Sequence, residues 1–358
     1  MDKNGYNPCC DGVPGGGNSK GFIKIRQYFA EILKNENQLP SKIRIDASTI
    51  CQLHCPSCYM RQNPYEVKNG CGIGYLKFEN FKTFIDLNPN IKEIELSNSG
   101  EIFLNPDLVK IIKYSYLKHI KLTARNGVNL NYLTEEQAEA LVKYKFDSIT
   151  VSLDGASQET YEKYRIGGNY ETVINNIKKI IYYKNKYDSG YPFIIWKYIV
   201  FGHNEKDIIN AKKQFEELKK ETNDITLEFS VSCKNDFPII DVDFVKNETG
   251  LQNLNIFLSP IEQLKDYNDK KIIWFPCMYL WDSPQINWDG QFLGCCCNFT
   301  DFFIKDVFNS KLIDILNDPI ILYAKNMIQG FLPPKKDIPC YSCYIYDAMA
   351  KTNIWFKR

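Results

Sequence analysis

The sequence contains no apolar stretch long enough to span a bilayer. Its opening residues, Met1-Asp2-Lys3-Asn4-Gly5, lack the apolar core of a signal peptide. Charge of one sign is not in excess: 44 basic side chains face 43 acidic ones, and no block of either sign interrupts the chain. These absences argue against a membrane partner and against nucleic acid, and they point to a cytoplasmic protein. A reducing compartment seldom supports disulfides, so the 13 cysteines read as metal or cluster ligands. What remains is 358 residues, 44% of them hydrophobic, enough for one large α/β domain with a full core and a smaller one beside it.

Strand and helix patterns alternate from residue 43. Strands are expected at 42–47, 91–97, 120–123, 148–153, 193–200 and 225–231. Helices are expected at 78–87, 106–116 (capped by Asn105), 134–144, 157–164, 170–186 and 204–220. Thr134 with Gln137 forms a capping-box pattern. Six β/α units in succession imply a parallel sheet curled into a partial (β/α)6 barrel, with ligands at the carboxyl ends of its strands. The reading divides the chain into an N-terminal tail and helix (1–40), the barrel (41–235), an irregular linker (236–275) and a cysteine-bearing module (276–358). The numerous Tyr and Phe follow core spacing and read as packing.

The most informative run is Cys51-Gln52-Leu53-His54-Cys55-Pro56-Ser57-Cys58. Its C-x3-C-x2-C spacing offers three thiolates, whereas a [4Fe–4S] cluster with only cysteine ligands takes four, so one iron is left open. The alternative is a zinc site with His54 as fourth ligand, which strains the loop because His54 adjoins Cys55. The run resembles the signature of the radical S-adenosylmethionine (SAM) enzymes. In that family the open iron holds the amine and carboxylate of SAM, and one electron releases a 5′-deoxyadenosyl radical. The resemblance implies an electron donor such as flavodoxin or ferredoxin.

Other loops carry the resemblance further. Ser97-Asn98-Ser99-Gly100-Glu101 is similar to the family's glycine-glycine-glutamate motif, with Ser99 in the first glycine's place. Glu101 would then accept a hydrogen bond from the amine of SAM; read alone, it is a loop residue near a helix start. Asn126-Gly127 resembles a pair that borders the cofactor, or is a plain turn. Ser152 and Asp154 close the fourth strand, within expected reach of the ribose or methionyl group. Arg165 pairs with the methionyl carboxylate in this reading, or else forms a surface salt bridge. Ser57 stands where the family has a large residue beside the adenine, and Tyr59 is the expected replacement.

The C-terminal module carries Cys277, then Gly290-x4-Cys295, then Cys340-x2-Cys343. It resembles the auxiliary-cluster domain called SPASM in its shortened form, Twitch, since no cysteine follows Cys343. The resemblance implies a second [4Fe–4S] cluster on Cys277, Cys295, Cys340 and Cys343, the choice among Cys295, Cys296 and Cys297 being open. Structural zinc is the alternative. Cys9, Cys10, Cys71, Cys233, Cys296 and Cys297 are left unassigned.

Two clusters imply hydrogen abstraction followed by loss of a second electron. The expected reaction is dehydrogenation of a small polyol or sugar, because only 50 residues precede Cys51, too few for a peptide-binding domain. The alternative is a peptide maturase, either cross-linking or epimerising. For an epimerase Cys233, just past the sixth strand, is the expected catalytic hydrogen donor, against the commoner reading of a buried apolar cysteine. A zinc-stabilised scaffold without catalysis is the third reading.

Overall fold

The computed structural model describes residues 39–232, 237–251, 254, 277–353 and 355. The N-terminal helix expected before residue 40 and the tail with Cys9 and Cys10 lie outside the described residues. Seven parallel strands form one sheet in the order β6-β5-β4-β3-β2-β1-β7. They are β1 Lys42–Ile45, β2 Glu93–Glu95, β3 Lys121–Val128, β4 Ser148–Ser152, β5 Phe193–Val200, β6 Ile225–Val231 and β7 Gln285–Ile286.

Parallel neighbours need crossovers, and helices supply them. In chain order these are α1 Tyr59–Gln62, α2 Pro64–Asn69, α3 Phe78–Leu87, α4 Leu108–Leu117, α5 Glu135–Lys143, α6 Gln158–Glu162, α7 Tyr170–Tyr187 and α8 Ile208–Lys219. The order of β1 to β6 runs monotonically, so same-handed crossovers put all the helices on one face and the sheet curls as a partial barrel. Register makes the two faces differ. Ile43, Ile94 and Leu122 lie side by side on one face, and Arg44, Glu95, Thr123 and Ser148 on the other. The first row joins Phe81, Phe84, Ile111 and Leu141 in the main core. In the second row, buried Glu95 is held by the Ser97 and Arg125 N–H groups and by the Ser97 and Thr123 hydroxyls.

Several elements depart from the sequence reading. Asn105 does not cap α4; Asp107 stands at the N-cap position, where its side chain makes no capping bond. The Asn105 amide instead ties the carbonyls of Ala47 and Leu76, which joins the ends of two other segments. The third strand does not stop at 123 but runs through Asn126-Gly127 to Val128, with its pairing shifted between Ala124 and Val128. The linker is helical over α9 Val242–Thr249, because Asp241 accepts the Phe244 N–H and Gly250 ends the helix at φ +73°. The capping box of Thr134 and Gln137 forms as expected.

The C-terminal module contributes α10 Tyr279–Asp282, β7, α11 Leu312–Leu316, α12 Pro319–Ile328 and α13 Tyr344–Thr352. Its strand β7 was not anticipated. It pairs with β1, setting Gln285 beside Arg44 and Ile286 beside Ile45. Among the described residues, no helix is long and apolar enough to cross a membrane.

Candidate functional site

β1 delivers the chain directly into the loop of Cys51, Cys55 and Cys58. Backbone bonds set its shape: Cys58 N–H donates to Cys55 O, His54 N–H to Ile166 O, and Glu101 N–H to Ile50 O. The last of these brings the loop after β2 against the cysteine loop. Gly100 makes that approach feasible. Its φ is +59°, and a Cβ there would lie 2.6 Å from Ser48 O and 2.7 Å from Ile50 O. Leu53, Tyr164 and Phe201 bury the loop's underside with Cys55, and Ile199 and Phe237 flank it.

Three thiols meet in this loop. Cys55 is buried, while Cys51 and Cys58 are half-buried. Burial pushes the Cys51 thiol up to about 12, and the charges of Glu101, Cys55 and Cys58 push the same way. Burial also raises Cys55, against the pull of Arg165. Two nitrogen donors face the sulfurs: Asn129 Nδ2 lies 3.7 Å from Cys51 Sγ, and an Arg165 terminal nitrogen lies 3.7 Å from Cys55 Sγ.

Glu101 is 1% exposed. Its carboxylate accepts the Phe103 N–H at 3.3 Å and the Asn129 N–H at 2.6 Å. Burial pushes its pKa up to about 7, the two N–H donors and Arg165 opposing. Ser99 bonds to Asp46, a fully buried carboxyl that burial pushes up to about 7 and that Gln285 Nε2 approaches at 2.6 Å. Asn126 donates to Asn98 Oδ1 at 2.9 Å and Ser152 lies against Gly127, where a Cβ would come within 2.8 Å of the Ser152 hydroxyl.

The structure gives Asp154 and Arg165 to each other. Arg165 Nε is 2.5 Å from Asp154 Oδ2, and Asp154 Oδ1 accepts the Ile199 N–H. Arg165 is thus no surface ion, and part of its fork is already committed. Tyr59, the expected adenine contact, packs on the C-terminal module. Its ring stacks on Phe299 of the C-terminal module at 4.7 Å, and its hydroxyl bonds Glu66. This stacking seats the module against the cysteine loop. Cys233 lies outside the described residues.

In the module, Cys277, Cys295, Cys340 and Cys343 are near enough for their charges to act on one another. Burial raises Cys277, and the charges of Cys295 and Cys343 add to it. Burial likewise raises Cys340, with Cys277, Cys295 and Cys343 adding. Cys343 is pushed up to about 12 by burial and by Cys295. Cys295 therefore acts on all three others, whereas Cys296 acts on two of them and lies 6% exposed. Cys71, unassigned from sequence, is buried against Val67 and Leu293, and its carbonyl accepts from Asn287 and from Trp288 Nε1. All ten described cysteines are free thiols, and no three His, Cys, Asp or Glu side chains among the described residues are grouped to hold a single metal ion.

Residues that sequence reasoning missed include Gln52, Asn129, Tyr164, Phe299 and Asp46. The only local signal was the Asn129-Leu130-Asn131 repeat of polar side chains after a glycine.

A model of the radical SAM superfamily matches residues 45–213. The subtilosin biosynthesis protein AlbA of Bacillus subtilis, an antilisterial bacteriocin biosynthesis protein, is 23% identical over 301 residues, covering 80% of this chain and 62% of that protein. This chain thus spans less than two thirds of AlbA. A probable GTP 3′,8-cyclase of Methanocaldococcus jannaschii is 32% identical over 240 residues, covering 64% of this chain and 68% of that protein. The structure of Streptococcus suis SuiB bound to S-adenosylmethionine aligns with a TM-score of 0.57 and 16% identity, covering 93% of this chain and 78% of that one. SuiB bound to the precursor peptide SuiA aligns with a TM-score of 0.54 and 14% identity, covering 95% and 78%. At these identities the structural likeness establishes the fold.

Proposed function

Because the chain belongs to the radical SAM superfamily, we propose that it is a two-cluster enzyme that oxidises a peptide substrate. What supports the two-cluster part is a second set of four free thiols in the module, electrostatically coupled to one another and separate in sequence from the three of the β1 loop. The donor types, free thiols throughout, fit the groups. Thiolates are the ligands such clusters take, and the seven cysteines divide as three and four. Cys51, Cys55 and Cys58 would hold a SAM-binding [4Fe–4S] cluster, and Cys277, Cys295, Cys340 and Cys343 an auxiliary one. When bound, these groups and SAM supply hydrogen-atom abstraction from a C–H bond and an acceptor for the electron left behind.

The chain's own residues do the rest. Glu101, withdrawn from water and pinned by two N–H donors, offers a carboxylate for the SAM amine. Ser99, Gly100, Asn126 and Ser152 line the carboxyl ends of β2 to β4, where ligands of such sheets bind. Asp154 holds Arg165 against Cys55. The division into barrel (41–235), linker (236–275) and cluster module (276–358) belongs to this proposal, as do a cytosolic setting and a flavodoxin- or ferredoxin-type reductant.

Peptide takes precedence over the small polyol because AlbA, named for bacteriocin biosynthesis, matches 80% of this chain, and SuiB has been captured with a precursor peptide. A small polar substrate is the second reading, favoured by the 32% identity to a protein named as a GTP cyclase. Epimerisation through Cys233 and cross-linking remain the alternative peptide chemistries.

The test is anaerobic. Reconstituted protein is given dithionite and SAM, with a peptide fraction or a metabolite fraction of source-cell extract, and 5′-deoxyadenosine is quantified. A surge with peptides is expected. A surge confined to metabolites restores the small-molecule reading. A colourless protein that holds zinc and forms no 5′-deoxyadenosine overturns both in favour of a scaffold.

A further inference from the structure

Asn129 stands where the cysteine loop meets the Glu101 loop, and the reading above gives it no role. It is 5% exposed. Its backbone N–H donates to Glu101 Oε2 at 2.6 Å. Its Oδ1 accepts the Asn131 N–H at 3.0 Å and Gln52 Nε2 at 2.7 Å, while its Nδ2 returns to Gln52 Oε1 at 3.5 Å. The Asn131 backbone N–H can only donate, which fixes the amide oxygen on that side. Nδ2 is therefore the atom that faces Cys51, 3.7 Å from Sγ.

We propose that Asn129 is a positioning residue that donates a hydrogen bond to the Cys51 sulfur and so raises the reduction potential of the cluster held in that loop. The inference rests on reading Cys51, Cys55 and Cys58 as cluster ligands. A reduced cluster carries one more negative charge, shared with its thiolates. A donor aimed at a thiolate stabilises that state more than the oxidised one, and potentials of such clusters respond to hydrogen bonds on their sulfurs. The same residue holds Glu101 through its backbone, so side-chain replacement separates the two tasks. Substitution at 129 removes the donor to sulfur and leaves the N–H on Glu101.

Two variants test this. Asn129→Asp keeps an oxygen for the Asn131 N–H and removes the donor; Asn129→Ala removes both without adding charge. Iron-loaded wild type and variants are titrated anaerobically, with the midpoint read by electron paramagnetic resonance and SAM affinity by calorimetry. Both variants should shift to more negative potential, with SAM affinity close to wild type. A wild-type midpoint in either iron-loaded variant overturns the proposal, and so does loss of SAM affinity at an unchanged midpoint, which makes Asn129 merely structural. If Asn129→Ala does not fold, Asn129→Leu, which has no donor and adds no charge, carries the same two outcomes. Wild-type protein that assembles no iron–sulfur signal overturns the cluster reading itself, and the inference with it.

Discussion

Arg165 and Asp154 form a buried ion pair, Nε to Oδ2 at 2.5 Å, with the Asp154 side chain fully withdrawn from water and the Arg165 side chain 15% exposed. The pair joins the end of β4 to the cysteine loop, since the same guanidinium reaches Cys55. Arg165→Ala strands the Asp154 carboxylate with only the Ile199 N–H, and removal of one partner of such a pair costs about 3–5 kcal/mol. Urea denaturation of the iron-free protein should show this cost, and Asp154→Asn in the Arg165→Ala background should recover much of it. A cost below about 1 kcal/mol would mean that water enters and screens Asp154.

Cys295 is the expected ligand among three adjacent cysteines because it alone acts on Cys277, Cys340 and Cys343. Cys295→Ala should lose roughly half of the bound iron and sulfide, one of two four-iron clusters, and still cleave SAM. Cys297→Ala should retain the full complement. Colorimetric iron and sulfide analysis decides, and the reverse pattern transfers the assignment to Cys297.

Asp46 gives a pH dependence of stability. Its ordinary value is 3.8, and burial pushes it up to about 7. The unfolded chain releases this proton near pH 4, while the folded protein keeps it until about pH 7. Stability is therefore full below pH 4, falls between pH 4 and 7, and is level above. The loss amounts to about 4 kcal/mol, and Glu101, also raised to about 7, adds a decline of the same sign. Asp46→Asn should stabilise the iron-free protein at pH 7 and flatten part of the slope; adding Glu101→Gln should flatten most of the rest. Thermal unfolding from pH 4 to 8 measures it, and an Asp46→Asn protein with the wild-type slope removes Asp46 as the source.

Gly100→Ala combines a left-handed backbone with a Cβ 2.6 Å from the Ser48 carbonyl. The backbone conformation alone costs about 1–2 kcal/mol, and the clash forces the β2 loop off the cysteine loop. Stability should fall by about 2 kcal/mol or more, and SAM binding should weaken with it. Calorimetry showing unaltered SAM affinity would mean that the loop accommodates the methyl group in place.

Much of the frame was legible because its signals are local. Phe193–Val200, Ile225–Val231 and Phe78–Leu87 have the expected bounds, each marked by its own run of apolar spacing. The cysteine spacings were legible for the same reason. The rest depends on partners far along the chain. β7 is two residues long and exists only because β1 lies beside it. Asn105 reads as a helix cap until Ala47 and Leu76 claim its amide. The stacking of Tyr59 on Phe299, 240 positions later, has no local signal either. Arg165 looks like a surface cation because nothing local reveals that Asp154 is buried.

The pairing of β7 with β1 also bears on how the molecule is made. A ribosome releases the cysteine loop and the edge of β1 long before Gln285 and Ile286, which come more than 200 residues later. Throughout that interval the edge that β7 will cover is open to pairing with other chains, and the strand that leads into the Cys51 loop is the one at risk. Overexpression that outpaces completion of the C-terminal module should therefore favour aggregates of nascent barrel. Slower synthesis, at lower temperature, lets each chain complete its own edge.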